Sequence, residues 1–204
     1  MNKITEVFFD IETQKLFGDL TDDDPAGLGV SIVSVYRREL DEKLNETSGI
    51  MYSFWEKELS KMWEYFQGAQ RIIGFNSLGF DVPVLKPYAP NYFSKLPHFD
   101  IMQKFKEIAN HRISLNSLAK TTLGKSKIDS GLNAVTYWQK GDPKSLAKLK
   151  KYCEADVLLT KDLYHHALIN QELSYLDKWN TVRKITVDFS YPKPKDEINQ
   201  GSLF

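Results

Sequence analysis

Cysteine is nearly missing from this sequence: Cys153 stands alone in 204 residues. No disulfide can form within the chain, which suits a reducing compartment. An excess of either charge is also missing, since 27 Lys and Arg balance 27 Asp and Glu. No global field therefore draws the protein toward nucleic acid or a lipid surface. Any site for a polyanion must be local, made from a lysine patch or from bound metal ions. No apolar run approaches the roughly 20 residues that a membrane-crossing helix needs. The opening residues, MNKITE, lack the apolar core of a secretion signal. There is no internal repeat and no low-complexity tract. These absences lead us to expect a soluble cytoplasmic protein with no membrane partner. What is present, 42% hydrophobic and 26% charged residues, is ordinary for a folded chain. The length suits a single domain with a sizeable core.

The organising stretch is Val7-Phe8-Phe9-Asp10-Ile11-Glu12-Thr13. Its apolar start reads as a buried strand, and two carboxylates follow at its end. Strand side chains alternate between faces, so Asp10 and Glu12 point to the same side. Two adjacent carboxylates raise each other's pKa unless a cation lies between them, and hard divalent cations favour such oxygen ligands. An isolated Asp-x-Glu is equally compatible with a strand fraying into a solvated loop.

The polar loop after Thr13 holds Asp22-Asp23-Asp24 before Pro25, which reads as a solvated turn. Residues 29–36 and 49–55 read as two more strands, forming an antiparallel meander with the first. Over 56–66 the period changes. Leu59, Met62, Trp63 and Phe66 fall at i, i+3, i+4 and i+7, which predicts a helix. Residues 71–75 form a buried strand ending at Asn76, and the strand–helix–strand order implies parallel pairing. A helix is expected to start within 79–88, with Pro83 in its first turn. Residues 98–102 lead into a further helix. Ser114 caps and Gly124 ends a helix over 114–123. Asp142-Pro143 opens a last long helix that runs to about residue 169. From residue 190 the chain is polar and proline-bearing, so we expect a domain over 1–189 and a flexible tail over 190–204.

Two further segments carry chemistry. In Gly74-Phe75-Asn76-Ser77-Leu78-Gly79-Phe80-Asp81, a strand delivers Asn76 to a turn and Asp81 emerges where a helix begins. In the late helix, Tyr152 and Asp156 are one turn apart and share a face. The apolar stripe beside them, Leu146, Leu149, Cys153 and Val157, puts Asp156 at the edge of the buried side, where an unpaired carboxylate is costly.

Together these segments resemble the DEDD family of 3′→5′ exonucleases, from about residue 6 to residue 169. The matching motifs are Asp-x-Glu (Asp10, Glu12), Asn-x3-Phe-Asp (Asn76, Phe80, Asp81) and Tyr-x3-Asp (Tyr152, Asp156). The histidine branch of that family carries His five residues before the last Asp, and Lys151 stands there. With Tyr152 in place the chain resembles the tyrosine branch, shared by polymerase proofreading domains and the RNase D group. The resemblance implies an α/β fold, a ribonuclease H-like mixed β-sheet flanked by α-helices. It also implies two Mg²⁺ or Mn²⁺ ions bridged by Asp10, with Glu12, Asp81 and Asp156 as further ligands. Tyr152 would aim the water, since a phenol of pKa near 10 is a poor base. The implied substrate is single-stranded or frayed DNA. An RNase D-like RNA exonuclease, or a catalytically weak adaptor, stays open.

Substrate contacts are less defined. Thr13, Asn76, Phe80 and Lys127 are candidates beside the motifs. Lys144, Lys148 and Lys151, or Lys120, Lys125 and Lys127, could follow a phosphate backbone. Leu78, Phe80, Tyr137 and Trp138 could wedge or stack bases. The last five residues, Gln200-Gly201-Ser202-Leu203-Phe204, resemble the Gln-Leu-(Ser/Asp)-Leu-Phe peptide that bacterial proteins insert into the sliding clamp. Gly201 departs from the usual leucine. Gln200, Leu203 and Phe204 would make the contacts.

Overall fold

The computed structural model describes residues 3–191. Five strands form one mixed sheet: β1 (Ile4–Thr13), β2 (Val30–Leu40), β3 (Glu46–Trp55), β4 (Arg71–Gly74) and β5 (His98–Asp100). Their order is β3-β2-β1-β4-β5, so β1 is central. It runs antiparallel to β2 and parallel to β4. The expected meander is present, and β4 is paired in parallel as expected, but with β1; β3, the strand before it in the chain, lies at the sheet edge.

The helices are α1 (Asp81–Leu85), α2 (Ile101–Ala109), α3 (Leu115–Leu123), α4 (Gly131–Lys140) and α5 (Pro143–Asn170). Ser114 caps α3, and Asp142 caps α5 by accepting from the Lys144 and Ser145 amides. None of these helices is long and apolar enough to cross a membrane.

Strand alternation divides the core. Val7, Phe9 and Ile11 on one face of β1 pack with Leu59, Met62, Trp63, Phe66 and Phe93. Phe8, on the other face, packs with Val157, Leu163 and Tyr164 of α5. Asp10 and Glu12 share that second face, and α5 lies across β1 and β2. The sequence therefore sends both carboxylates toward the late helix simply by their even spacing from Phe8.

Two elements differ from what the sequence led us to expect. Residues 56–66 form two 3₁₀ segments, Glu56–Lys61 and Trp63–Phe66, instead of one α-helix. Leu59 with Met62, and Trp63 with Phe66, are i, i+3 pairs, a spacing that fits either period. All four side chains are buried as expected. Beyond α5, the chain forms a hairpin, β6 (Glu172–Leu176) and β7 (Val182–Thr186), that the sequence reading did not anticipate. Its strands are short and largely exposed, so the alternation that marks a strand is weak there.

The segment after the hairpin is anchored. Phe189 is buried against Phe99 and Tyr164. Arg71 donates to the Phe189 and Ser190 carbonyls, each at 2.6 Å, and to the Tyr164 hydroxyl at 2.7 Å. Its guanidinium lies 4.1 Å from the centre of the Tyr191 ring. Ser190 and Tyr191 thus belong with the domain, while residues 192–204, including Gln200, Leu203 and Phe204, lie outside the described residues.

Candidate active site

One face of β1 carries two carboxylate centres with opposite character. At its start, Glu6 is fully buried and fully paired. Arg38 Nε and Nη2 reach Glu6 Oε2 at 2.7 and 2.6 Å. The hydroxyls of Tyr164 and Tyr191 donate to Glu6 Oε1. This centre carries its own cation, as a buried charge requires.

Two turns of alternation further on, Asp10 and Glu12 face the N-terminal half of α5. From Tyr164 back to Tyr152 is roughly 18 Å along a helix, and from Glu6 to Glu12 roughly 20 Å along a strand. An antiparallel α5 therefore brings Tyr152 and Asp156 opposite Glu12 while Tyr164 meets Glu6. Ligand oxygens of Asp10, Glu12 and Asp156 all lie within 4.8 Å of one another. Asp81, the first residue of α1, is buried outside that trio and lines the same cavity of about 390 Å³. Thr13, Asn76, Phe80, Lys127 and Tyr152 also line it. Nine residues singled out in sequence are thus gathered from β1, the turn after β4, α1, the loop before α4, and α5.

The only cation among them is Lys127, with Nζ 2.6 Å from Asp156 Oδ2. Its loop is held from α3, where Asn116 Oδ1 accepts the Lys127 amide at 2.9 Å. Burial alone would lower the lysine pKa, but the Asp156 and Asp10 carboxylates outweigh it and raise it. Lys127 stays charged, yet it is one cation against four carboxylates. Burial, then Asp156, Asp81 and Glu12, raises the Asp10 pKa far above the carboxylate range. Glu12 is raised by burial and Asp156, and Asp81 by burial to about 7. Asp156 is 1% exposed, and neither of its oxygens accepts a well-aligned hydrogen bond. Unlike Glu6, this centre is short of positive charge and of donors. Hard oxygen ligands, crowded and undercompensated, fit a divalent cation.

Tyr152 is buried, and burial with the Asp156 charge raises its hydroxyl well above the ordinary phenol range. In the metal-free site it is therefore protonated and available as a hydrogen-bond donor. Cys153, behind the site, directs Sγ at the Asp10 carbonyl oxygen, 3.4 Å away, and burial keeps its thiol protonated. His165 lies at the Glu6 end, 3.5 Å from Arg38 Nη2, and Lys151 is exposed.

The turn carrying Asn76 has supports that the sequence reading missed. Asn76 has φ +62°, in the left-handed region that asparagine tolerates. Asp100, at the end of β5, accepts the amides of Asn76 at 2.9 Å and Leu78 at 3.0 Å, and also caps α2. Arg112 donates to Asn76 Oδ1 at 2.8 Å. A Cβ at Gly74 would collide with the Ser77 side chain, so glycine is required where the strand enters the turn. The only local signal for Asp100 was its position at a helix cap, and Arg112 had none.

Among the aromatic candidates, Phe80 reaches the cavity and meets Phe17, with ring centres 6.0 Å apart. Leu78 is 40% exposed nearby. Tyr137 donates to Asp129, and Trp138 stacks on Trp55, and both are half-buried and do not line the carboxylate cavity.

A mixed sheet whose central strand ends in carboxylates facing a long helix, with a third acidic residue on that helix, has the architecture of ribonuclease H-like proteins. The chain belongs to the RNase_H superfamily: the RNase_H_2 family model matches residues 7–168. Comparison with curated proteins gives no match. Membership supports a nuclease-type hydrolase that binds nucleic acid, and the acidic trio could hold a metal ion.

Proposed function

We propose that this protein is a 3′→5′ exonuclease of the tyrosine branch of the DEDD family, acting on single-stranded or frayed DNA. The observation that carries the reading is the convergence of Asp10, Glu12, Asp81, Asp156 and Tyr152 in one cavity from three separate stretches of chain. Asp10, Glu12, Asp81 and Asp156 would hold two Mg²⁺ or Mn²⁺ ions. Bound there, the metals supply Lewis acidity at the scissile phosphate and lower the pKa of water. The buried Tyr152 hydroxyl would orient the attacking water by hydrogen bonding, since a phenol is a poor general base near neutral pH. Phe80, Phe17 and Leu16 offer an apolar wall for the terminal base, and Asn76 and Thr13 lie where sugar and phosphate would pass. Lys127, whose Nζ lies 2.6 Å from Asp156 Oδ2 within the carboxylate cluster, would offer its ammonium to the phosphate.

The test uses 5′-labelled DNA and RNA oligomers with Mg²⁺, Mn²⁺ or EDTA. A ladder shortening from the 3′ end, fastest on DNA and absent in EDTA, is expected. Internal scission, a preference for RNA, or full activity in EDTA would refute the reading.

We further propose that residues 200–204 tether the enzyme to a bacterial sliding clamp. Leu203 and Phe204 would act as anchors, and Gln200 would fix the register. Support comes from the sequence match and from the position of Tyr191, the last described residue, which is bound at the Glu6 end of β1 and so away from the carboxylate end. Removing residues 200–204 should abolish association with purified clamp, measured at tens of micromolar, and leave hydrolysis of free oligonucleotides unchanged. Clamp binding that survives the deletion, or hydrolysis that does not, would sink the tether.

A further inference from the structure

A second groove lies beside the carboxylate cavity. Its volume is about 570 Å³, and it runs between residues 111–121 and the loop of the β6–β7 hairpin. Its lining includes His111, Arg112, Lys120 and Lys178 but only one carboxylate, Asp177. Asp177 is already engaged. Oδ1 accepts the amides of Trp179 and Thr181, and Oδ2 accepts from Arg183 Nε at 2.8 Å. Arg112, Lys120 and Lys178 form no salt bridge among the described residues. In a chain of zero net charge, three uncompensated cations in one groove form a local polyanion site.

The groove is joined to the active-site cavity by two hydrogen bonds. Arg112, in the groove, donates to Asn76, in the cavity. Asn116, also in the groove, accepts the amide of Lys127. A strand whose end sits at the carboxylates would therefore pass directly over Arg112 into the groove.

In the same hairpin loop, between the groove-lining Lys178 and Asn180, stands Trp179, 69% exposed, the most exposed of the large apolar side chains among the described residues. It is not there by fraying. The loop is closed by hydrogen bonds between Asp177 and Thr181 and between Asn180 and Asp177. The hairpin is fixed to the domain by reciprocal hydrogen bonds between Ser174 and Thr122, and by Tyr175 packed edge-on to Phe105. A rigid loop thus holds an indole in solvent, with Lys178 Nζ 4.4 Å from the ring centre. Its ring face is therefore open for a flat partner to stack on. The hairpin lies beyond the residues matched by the family model, 7–168.

Resting on the nuclease reading above, we propose that this groove binds the single-stranded part of the substrate 5′ to the nucleotide held at the carboxylates. Arg112, Lys120 and Lys178 take its phosphates, and Trp179 stacks on one of its bases. Alternating cations and an exposed aromatic are what a single strand recognises without regard to sequence.

The test measures binding in EDTA, so that nothing is hydrolysed, using labelled DNA single strands of about 4 and about 16 nucleotides, the span of known single-strand sites. Wild-type protein should prefer the longer strand, and its tryptophan fluorescence should be quenched by it. Trp179→Ala should bind the longer strand roughly 5- to 100-fold more weakly, and Trp179→Phe should restore most of the loss. Lys120→Ala with Lys178→Ala should flatten the slope of log K against log salt by about 1.4, two phosphate contacts at about 0.7 each. Because Trp179 is exposed, unchanged thermal unfolding certifies the fold of its variants. Equal binding of both lengths, or Trp179→Ala binding as wild type, overturns the groove. A polyglutamate peptide binding as tightly as DNA also overturns it, in favour of an acidic protein partner. Hydrolysis by the wild type with Mn²⁺ is run alongside. Activity without the length preference leaves the nuclease reading standing and removes only this inference, while neither binding nor hydrolysis removes both.

Discussion

Replacing Asp10 by asparagine should make the metal-free protein more stable and the enzyme inactive. The Asp10 carboxylate lies within 4.8 Å of ligand oxygens of Glu12 and Asp156. At that separation two ionised carboxylates repel by roughly 3 kcal/mol at an effective dielectric of 20. Part of this is already relieved, because Lys127 pairs with Asp156 and because Asp10 holds a proton well above the usual carboxylate range. What asparagine recovers at pH 8 is therefore on the order of 1–2 kcal/mol, a rise in Tm of about 2–8 °C for a chain of this size. Metal reverses the ranking. At a hundred times Kd, Mn²⁺ should add about 2.7 kcal/mol to the wild type, and far less to Asp10→Asn, which would lack one of the proposed ligands. Hydrolysis should fall by on the order of 10³-fold. Thermal unfolding by circular dichroism, in EDTA and in Mn²⁺, separates the two effects. If the asparagine variant is less stable than wild type in EDTA and still gains the full Mn²⁺ increment, Asp10 is an ordinary buried polar group. The reasoning about the cluster then fails.

Tyr152→Phe should lower turnover by roughly 10²-fold with Mn²⁺ affinity nearly unchanged; isothermal titration showing a loss equal to that of Asp156→Ala would place the phenol among the ligands instead. Asp81, pushed to about 7 by burial, binds a proton in the folded state that it has released in the unfolded state. Stability contributed by residue 81 in EDTA is therefore fully present below about pH 4 and declines as pH rises toward about 7. Urea midpoints of wild type and Asp81→Asn at pH 5 and pH 8 isolate this from the histidines, and a wild type that gains on the variant as pH rises would contradict it. Glu6→Gln leaves the buried Arg38 guanidinium without its main counter-ion and should cost about 3–5 kcal/mol. A urea-unfolding loss below about 1 kcal/mol would mean that Glu46, at 3.1 Å from Arg38, suffices.

The site was legible because its residues sit at the ends of strongly patterned elements. Phe8 fixes the face of Asp10 and Glu12, the Asp142-Pro143 start marks α5, and the four-residue spacing puts Tyr152 and Asp156 together on it. Even Lys127, in a loop, was a candidate from its place in a lysine cluster. What was not legible is long-range. Arg112 reaches Asn76 across 36 positions and Asp100 reaches Leu78 across 22, and no local period encodes either bond. The segment at 56–66 was misread because four buried side chains at mixed i+3 and i+4 spacing satisfy two helix types. The hairpin was missed for the opposite reason. Its strands bury little, so they leave almost no alternating pattern, and they are held by Thr122 and Tyr175 contacts that only the assembled chain provides.

The pairing of Tyr191 with Glu6 and of Arg71 with the Phe189 and Ser190 carbonyls has a mechanical consequence. A pull applied at Tyr191 does not enter through the hairpin or peel α5 from its end. It is delivered to the start of β1 and to β4, the middle of the sheet, through a buried guanidinium and a buried carboxylate. There the strands are hydrogen-bonded on both sides and resist shear together. The opposite end of β1, where Asp10 and Glu12 lie, is roughly 13–20 Å from that attachment. Load entering the domain at Tyr191 would therefore be taken up at the end of β1 away from the cleft.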